Sequence, residues 1–521
     1  MGHGPEISTL ADIPRRWAAV TPGQAAVLDA DRSLTYRELD QRSDRVAAAI
    51  ASAGVARGAR IGLLAKNSAE FFELWFGAVK AGCALAPFNW RSTEPELAAL
   101  IRDCGPPLLF AGAEFAAAAG RAAAAGGLPV EVVDLGVAGA GLDRWLARYT
   151  GADVPVIPVH AEDIALVAYT SGTTGHPKGA QLSQRAFAAW FEISALEPAE
   201  TWSADDVALM VMPSFHLAGS WVSLPALYHG GTIAILPAFE PASFLAAVDR
   251  YQPTVTCLVP AAIGMLLDHP GASGRSFGSL RRVLYAGSPI SPAVMRRAIS
   301  SFGCDLTQFY GTSETYIITL LRPEQHDPGN PALLASCGAP VPLVDVRITG
   351  ASGADLPAGE VGEVLVRSPM LFSAYLNQPE ATAAVMSDGW YRTGDLGRRD
   401  EAGLVYLVDR LKDMIVTGGE NVYSVEVEKA LASCPGVAAS AVIGGPDERW
   451  GERIVAYIVS RPGAEPAAEQ ILAHCRALIA GYKVPKEIRF TSELPMTSSG
   501  KVRKAELRQL HADLSHLTPN S

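Results

Sequence analysis

Within eleven residues, Tyr169 to Gly179, the chain places three glycines, four Ser/Thr hydroxyls and a lysine in the order Tyr-Thr-Ser-Gly-Thr-Thr-Gly-His-Pro-Lys-Gly. Glycines let a backbone turn sharply and bring its N–H groups to an anion. Thr170, Ser171, Thr173 and Thr174 add donors, Gly172 and Gly175 add turns, and Lys178 adds a cation. That inventory suits a polyphosphate. It is not a Walker A loop, which needs Gly-Lys-Ser/Thr four residues after a glycine. The plain alternative, a polar surface turn, does not account for so specific an order.

Other stretches carry complementary chemistry. In Phe309-Tyr310-Gly311-Thr312-Ser313-Glu314 an aromatic ring can stack on a base, Gly311 gives room for a substrate, and Glu314 can hold Mg²⁺ against phosphate oxygens. In Gly389 to Gly397, Asp395 can accept two ribose hydroxyls, and Arg410 is an obligate cation for ribose or phosphate. Val283 to Pro289 ends in small residues, Gly287-Ser288-Pro289, which permit close approach to the backbone. His216 in a loop and Lys501 in a Ser/Gly loop have no meaning alone. A lone histidine is more often structural, and a lone lysine is a solvated charge.

The elements around these stretches follow from periodicity. Ile164 to Tyr169 is an apolar run of strand character, and Phe187, Trp190 and Phe191 recur at helical spacing after Ser183. Thr35-Tyr36-Arg37-Glu38 is a capping box for a helix with Leu39, Val46 and Ile50 on one face. Strand-like Ile61–Leu64, a helix with Phe71, Leu74, Trp75 and Val79 apolar, and strand-like Ala84–Pro87 give a βαβ rhythm. Residues 113–127, nearly all Ala and Gly, predict a surface helix with a loose connection. Val207 to His216 predicts a strand leading to the histidine. Beyond residue 410, strands at Ala441–Ile443, Ile454–Val459 and near Ile488, with a helix from Ala467, make a small α+β unit of about 110 residues.

With 521 residues, the chain exceeds one hydrophobic core. A net charge of −11 argues against nucleic acid as a partner. Seven cysteines, scattered and never spaced Cys-x-x-Cys, indicate neither a disulfide framework nor a zinc site, and fit a cytoplasmic protein. Met1–Leu10 lacks the apolar centre of a signal peptide, and no apolar run is long enough to span a membrane.

The loop at 169–179 resembles the phosphate loop of the acyl-adenylate-forming superfamily, which holds acyl-CoA synthetases, peptide-synthetase adenylation domains and beetle luciferases. The resemblance recurs in order. Met212-Pro213-Ser214-Phe215-His216 resembles the family's P-x-F-H segment. Tyr310 to Glu314 resembles Tyr-Gly-x-Thr-Glu, with Ser313 where Thr is usual. Asp409 to Asp413 is similar to the interdomain hinge, with Lys412 at the pivot. Pro495-Met496-Thr497-Ser498-Ser499-Gly500-Lys501 resembles P-x-T-x-x-G-K. It runs from about Thr35 to Lys504. Pro is frequent in the family where Ser424 stands, a change expected to leave the chemistry alone.

The resemblance implies an α/β fold: a large multi-layer N-terminal domain with mixed sheets (1–409) and a small mobile α+β C-terminal domain (410–521), hinged at 409–413. It implies ATP, Mg²⁺ and coenzyme A as cofactors. Thr173, His216, Glu314 and Lys501 form the expected catalytic set, with Glu314 as metal residue and Lys501 acting in adenylation. The nucleotide set is Thr170–Gly175, Lys178, Gly287–Pro289, Phe309–Ser313, Asp395, Arg410, Lys412 and Lys501. Gly418 and Gly419 face the thiol tunnel. An acyl pocket of His216, Ala218, Val222, Gly287, Gly311, Tyr316 and Ile317 is uncharged apart from the histidine. Its glycines and alanine leave depth for an apolar chain of medium or greater length, while Tyr316 can stack on an aryl acid, the second choice. Free CoA is the expected acceptor, and a homodimer is compatible with the resemblance.

Three other readings stand beside this one. An amino-acid adenylation domain would carry an Asp near Phe215-His216 to pair with an ammonium, and none is there. Nothing points to a luciferase-like oxidase. A non-catalytic nucleotide-binding protein would have lost Glu314 or Lys501, and both are present.

Overall fold

A computed structural model describes residues 6–30, 32–151, 157–170, 177–288, 290–417, 420–447, 450–497 and 501–517. By internal contacts the chain forms two compact units, Met1–Val346 with Val366–Tyr391, and Arg347–Leu365 with Arg392–Ser521. The expected pivot, Asp409–Asp413, lies inside the second unit.

In the first unit the expected βαβ rhythm becomes two mixed sheets. One has the parallel strands Ala25–Leu28, Thr232–Ile235, Val207–Met210, Val255–Leu258, Arg282–Ala286 and Asp305–Tyr310 side by side, with antiparallel strands at its edges. The other sets Ile164–Thr170, Ala84–Pro87, Arg60–Leu64, Leu108–Ala111 and Glu131–Asp134 in parallel. Parallel strands align their carboxyl ends, and loops leaving those ends are where open α/β sheets bind ligands. Met210, Ala286, Tyr310 and Thr170 each end such a strand, and each opens into one of the motif loops.

Local structure follows the sequence closely at the capping box. Thr35 accepts the Glu38 N–H and Glu38 reaches back, starting the helix Tyr36–Ser52. The helix Ala69–Lys80 is buried on every side rather than along one face. Its charged residues survive burial because each is paired: Glu73 with Arg32 and Arg42, and Lys80 with Asp40 at 2.5 Å and Asp44 at 2.7 Å. The Ala/Gly stretch forms the helix Ala116–Gly126, and it is not merely superficial: Ala119, Ala122 and Ala123 are buried in a cluster with Leu97 and Ile101. Small side chains here allow close packing on the helix Glu94–Cys104.

In the second unit, Val437–Asp447 and Gly451–Ser460 form a long antiparallel pair, flanked by Ile415–Thr417 and Glu487–Phe490. The helices Ser424–Ala432 and Ala468–Leu478 cover a core of Val427, Leu431, Val442, Ile454, Ile458 and Ile471. The strands of this pair run longer than the apolar runs that announced them, because small and polar residues at their ends, from Gly444 to Asp447 and from Gly451 to Arg453, are paired as well. A hairpin of Trp390–Arg399 and Val405–Arg410 sets Asp395 opposite Arg410. The expected fold class, a large α/β part and a small α+β part, is what the chain adopts. Among the described residues no helix is long and apolar enough to cross a membrane.

Candidate active site

The phosphate loop joins two strands rather than a strand and a helix. Ile164–Thr170 pairs antiparallel with Lys178–Ser183, with Thr170 opposite Lys178, and the helix Gln184–Leu196 follows, capped by Ser183. Ser171, Gly172, Thr173, Thr174 and Gly175 lie outside the described residues. The base of the loop is held from three directions. The Tyr169 phenol donates to Asp103 Oδ2 at 2.8 Å, Gln378 Nε2 donates to the Pro177 carbonyl at 3.0 Å, and Lys178 Nζ sits 5.0 Å from the centre of the Tyr375 ring.

Tyr375 ties this loop to Glu314. Its phenol donates to Glu314 Oε1 at 2.7 Å, and Glu314 is only 7% exposed. Burial first, and the neighbouring carboxylate second, push the Tyr375 phenol well above its usual range, so it stays protonated and donates. Tyr391 is raised by the same two causes. The loop bearing Glu314 is braced internally: Glu314 N–H donates to Thr312 Oγ1 and Thr312 N–H to Thr315 Oγ1. Among the described residues no group of three or more His, Cys, Asp or Glu gathers to hold a metal. Mg²⁺ typically takes one or two carboxylates together with substrate phosphates, and Glu314 fits that mode.

Tyr310 and Phe309 are both buried, and Phe309 packs on Trp221 at 5.7 Å. Gly311 has a local reason to be glycine that differs from giving a substrate room. A Cβ there would lie 1.8 Å from the Tyr316 carbonyl oxygen. Tyr316 itself has φ of 63°, a strained conformation for a bulky residue. Its ring is enclosed by Trp190 at 4.4 Å and Phe187 at 5.8 Å, and its hydroxyl meets Ser220 Oγ at 2.5 Å. Tyr316 therefore staples the Glu314 loop to the helix Leu217–Tyr228, which carries Ala218 and the buried Val222. Ile317 is buried beside it. Gly287, with φ of 92°, is exposed and open around its Cα, and Ser288 is exposed; Pro289 is outside the described residues.

His216 caps the helix Leu217–Tyr228 from extended backbone, its ring 4.6 Å from the buried Phe215. The loop before it is set by a residue that motif reading passes over. Asn67, 2% exposed, donates to the Met212 and Leu236 carbonyls at 3.0 and 3.1 Å and accepts the Ser214 N–H at 2.8 Å. A single Asn after a strand carries no signal in sequence. Tyr375 carries none either.

In the second unit, Asp395 and Arg410 form an ion pair, with Nε to Oδ1 at 2.6 Å. The Thr497 hydroxyl accepts the Lys501 N–H at 2.9 Å and the Lys501 carbonyl accepts the Thr497 N–H, closing the loop that presents Lys501. Lys501 keeps exposed surface, yet partial loss of hydration lowers its ammonium pKa; the Arg410 cation adds to this and Asp395 opposes it. Lys412 is lowered by burial first, with the cations of Arg410, Arg508 and Lys501 adding to it and Asp413 opposing. Asp395, Arg410, Lys412 and Lys501 are thus brought into one electrostatic neighbourhood. Gly418 and Gly419 lie outside the described residues.

Comparison with known proteins gives these loops a common context. The model of the AMP-binding enzyme family matches residues 14–376, and that of the AMP-binding enzyme C-terminal domain matches residues 426–501. The chain belongs to the AMP-binding enzyme family. It is 37% identical to the fatty acid–[acyl-carrier-protein] ligase ScoC of Streptomyces coeruleorubidus, over 97% of either chain. It is 38% identical to the indoleacetate–CoA ligase of Aromatoleum aromaticum, over 95% of this chain and 97% of that one. The crystal structure of ATP-bound MatB from Rhodopseudomonas palustris superposes with a TM-score of 0.85 at 30% identity, covering 97% of this chain and 99% of that one. This AMP-binding enzyme is an acid–thiol ligase that works through an acyl-adenylate.

Two outcomes test the geometry. Tyr375→Phe removes a hydrogen bond to a charged acceptor, worth about 1.5–3 kcal/mol. The Mg²⁺ concentration for half-maximal pyrophosphate release is expected to rise tenfold or more, with the unfolding midpoint little changed; an unaltered Mg²⁺ requirement would detach Tyr375 from Glu314. For Lys501, the charged form exists below its pKa, so pyrophosphate release is expected to fall with rising pH at lower pH than an ordinary lysine allows. Lys501→Arg, which stays charged, should move that alkaline limb upward.

Proposed function

We propose that this ligase activates an apolar monocarboxylic acid, in first place a fatty acid of medium or greater length, and passes it to coenzyme A. A free carboxylate is a poor acyl donor because oxide would have to leave. In the first half-reaction a carboxylate oxygen attacks the α-phosphorus of ATP, the bond to pyrophosphate breaks, and acyl-AMP forms. In the second, the CoA sulfur attacks the acyl carbon, AMP leaves, and the thiol proton goes to solvent.

Lys501 is assigned to the first half-reaction, where its cation offsets negative charge growing on the transferring oxygens. Mg²⁺, held by Glu314 and phosphate oxygens, would supply further charge neutralisation there. Thr170–Gly175 and Lys178 are assigned to the β- and γ-phosphates, Asp395 and Arg410 to the ribose, and His216 to the acyl end. The protein contributes positioning and electrostatics, not a covalent intermediate. Lys412 is assigned to the pivot between half-reactions, with 1–409 and 410–521 as the parts that turn about it.

The observation that supports the substrate class is the uncharged surroundings of the residues expected at the acyl end. Val222, Tyr316 and Ile317 are buried and uncharged, and Trp221 packs on Phe309 and Tyr316. A second carboxylate or an ammonium would be buried there without a partner, at high cost. Each buried CH₂ contributes about 0.8 kcal/mol, enough to select length. A fatty acid is also named as the substrate of the 37% identical ScoC. The second reading is an aryl acid, although the Tyr316 ring expected to stack on it is 2% exposed and packed between Trp190 and Phe187. Indoleacetate is named as the substrate of a 38% identical relative.

A panel of acids separates the readings. The specificity constant kcat/KM is expected to rise from acetate to at least octanoate, and an optimum on phenylacetate- or cinnamate-like acids would put the aryl reading first. A best substrate that is acetate, an amino acid or a dicarboxylate would overturn the apolar pocket. The roles of the half-reactions are tested by Lys501→Ala. It should lose most pyrophosphate release while still converting supplied acyl-AMP and CoA to thioester, and an equal loss of both in a folded variant would refute the assignment. Running the thioester assay with CoA and with a holo carrier protein fixes the acceptor, for which CoA is expected.

A further inference from the structure

Ser424 has surroundings that give its hydroxyl a consequence. It is fully buried and is the first residue of the helix Ser424–Ala432. Its hydroxyl accepts from Lys504 Nζ at 2.6 Å and stands 2.8 Å from Asp409 Oδ2. An ammonium can only donate, so the serine proton must point to the carboxylate. The order of donation is therefore Lys504 to Ser424 to Asp409. The two ends are themselves anchored. Lys504 Nζ also reaches Glu428 Oε1 at 2.7 Å, and Asp409 Oδ1 accepts the Arg410 N–H at 2.7 Å.

Asp409 opens the 409–413 turn, and Lys504 opens the helix Lys504–Leu517, three residues after Lys501. The same helix grips the other end of the turn. Arg508 Nη2 donates to the Lys412 carbonyl at 3.2 Å and to Asp413 Oδ1 at 2.7 Å. The segment that carries Lys501 is thus fixed to both ends of the turn, directly at residues 412 and 413 and through one serine hydroxyl at 409.

We propose that Ser424 is a positioning residue that latches the 409–413 turn to the segment bearing Lys501, and so sets the balance between the two half-reactions. The latch holds Asp409, and with it the neighbouring Arg410, in a fixed relation to the helix that follows the Lys501 loop, through Ser424 and Lys504 at one end and Arg508 at the other. On the assignment of Lys501 and Arg410 to adenylation, holding this arrangement favours that half-reaction. Any change of backbone angles within the turn that carries Asp409 away from the helix Ser424–Ala432 breaks the serine–aspartate bond. A proline at 424 cannot make that bond, so the turn would move more freely. The proposal rests on the assignment of Lys501 to adenylation and of 409–413 to the pivot.

The fold itself supplies a clean test. Position 424 is the first of its helix, where proline is well tolerated, and the preceding Tyr423 has φ of −85° and ψ of 119°, the conformation that precedes proline readily. Ser424→Pro and Ser424→Ala should stay folded with a modestly lowered unfolding midpoint, since each leaves Asp409 and Lys504 without the buried hydroxyl. Relative to the unaltered enzyme, the rate of thioester formation from supplied acyl-AMP divided by the rate of pyrophosphate release is expected to rise roughly tenfold, the scale of one hydrogen bond to a charged group. Ser424→Thr, which keeps the hydroxyl, should restore the ratio. A second readout needs no chemistry: Arg410 and Lys412 keep exposed surface although Lys412 is partly dehydrated, and trypsin cleavage after them should quicken in the Pro and Ala variants and not in Thr. A quickened cleavage with an unaltered ratio would sustain the latch and overturn the assignment of the half-reactions. An unaltered ratio together with unaltered cleavage would overturn the latch.

Discussion

Glu314, the carboxylate proposed to hold Mg²⁺, is buried and has a phenol rather than a cation as its hydrogen-bond donor. An arginine partner would satisfy the buried oxygen but offset part of the charge offered to a metal. The Tyr375 hydroxyl donates a hydrogen bond at 2.7 Å while leaving the negative charge in place. Because burial keeps that phenol protonated, the donor is permanent across ordinary pH. The short strand Ala374–Tyr375 that delivers it pairs with Lys178–Ser183, one arm of the phosphate loop. Lys178 lies over the same ring. The loop assigned to phosphates and the carboxylate assigned to the metal are therefore placed by one residue, and a shift in either is felt by the other.

Asn67 does comparable work for the loop that leads to His216. It follows the strand Arg60–Leu64 of one sheet, and its amide bonds the loops after Val207–Met210 and Thr232–Ile235 of the other. An amide suits this task because it donates and accepts at once, satisfying two carbonyls and an N–H that would otherwise be buried unpaired. With the loop at Met212–Ser214 fixed, the backbone at His216 is extended and the helix begins at Leu217. The angle between the two sheets and the position of the histidine are consequently not independent.

What the sequence made legible was what its own short range decides. The capping box at Thr35 and the strands before each motif loop depend on residues a few positions apart. The class of chemistry was legible because polyphosphate, metal and ribose recognition call for distinct residue types in one order. The partners across the fold were not. Tyr375 lies 61 residues from Glu314, and Asn67 lies 145 from Met212, and no local pattern marks either. The apolar positions Phe71, Leu74, Trp75 and Val79 announced the helix Ala69–Lys80 but not its burial on all sides, which needs Arg32, Arg42, Asp40 and Asp44 beside Glu73 and Lys80. Gly311 was read as space for a substrate, whereas the Tyr316 carbonyl, five residues on, already occupies the place of its side chain.

The pairing of Asp395 with Arg410 bears on how a nucleotide can be sensed. Both were expected at the ribose, and they meet each other at 2.6 Å, with Asp395 only 4% exposed. A carboxylate oxygen bound to Arg410 has less capacity left for two hydroxyls, so ribose would be received by the pair rather than by the aspartate alone. Arg410 then does two things. It orients Asp395, and its charge lowers the proton affinity of Lys501, which Asp395 raises. A ligand that draws the carboxylate toward its own hydroxyls weakens one influence on the lysine and leaves the other. The pair assigned to the sugar, Asp395 and Arg410, thus also bears on how readily Lys501 carries its charge, which would couple ribose binding to the electrostatics proposed for adenylation without any group that does only the signalling.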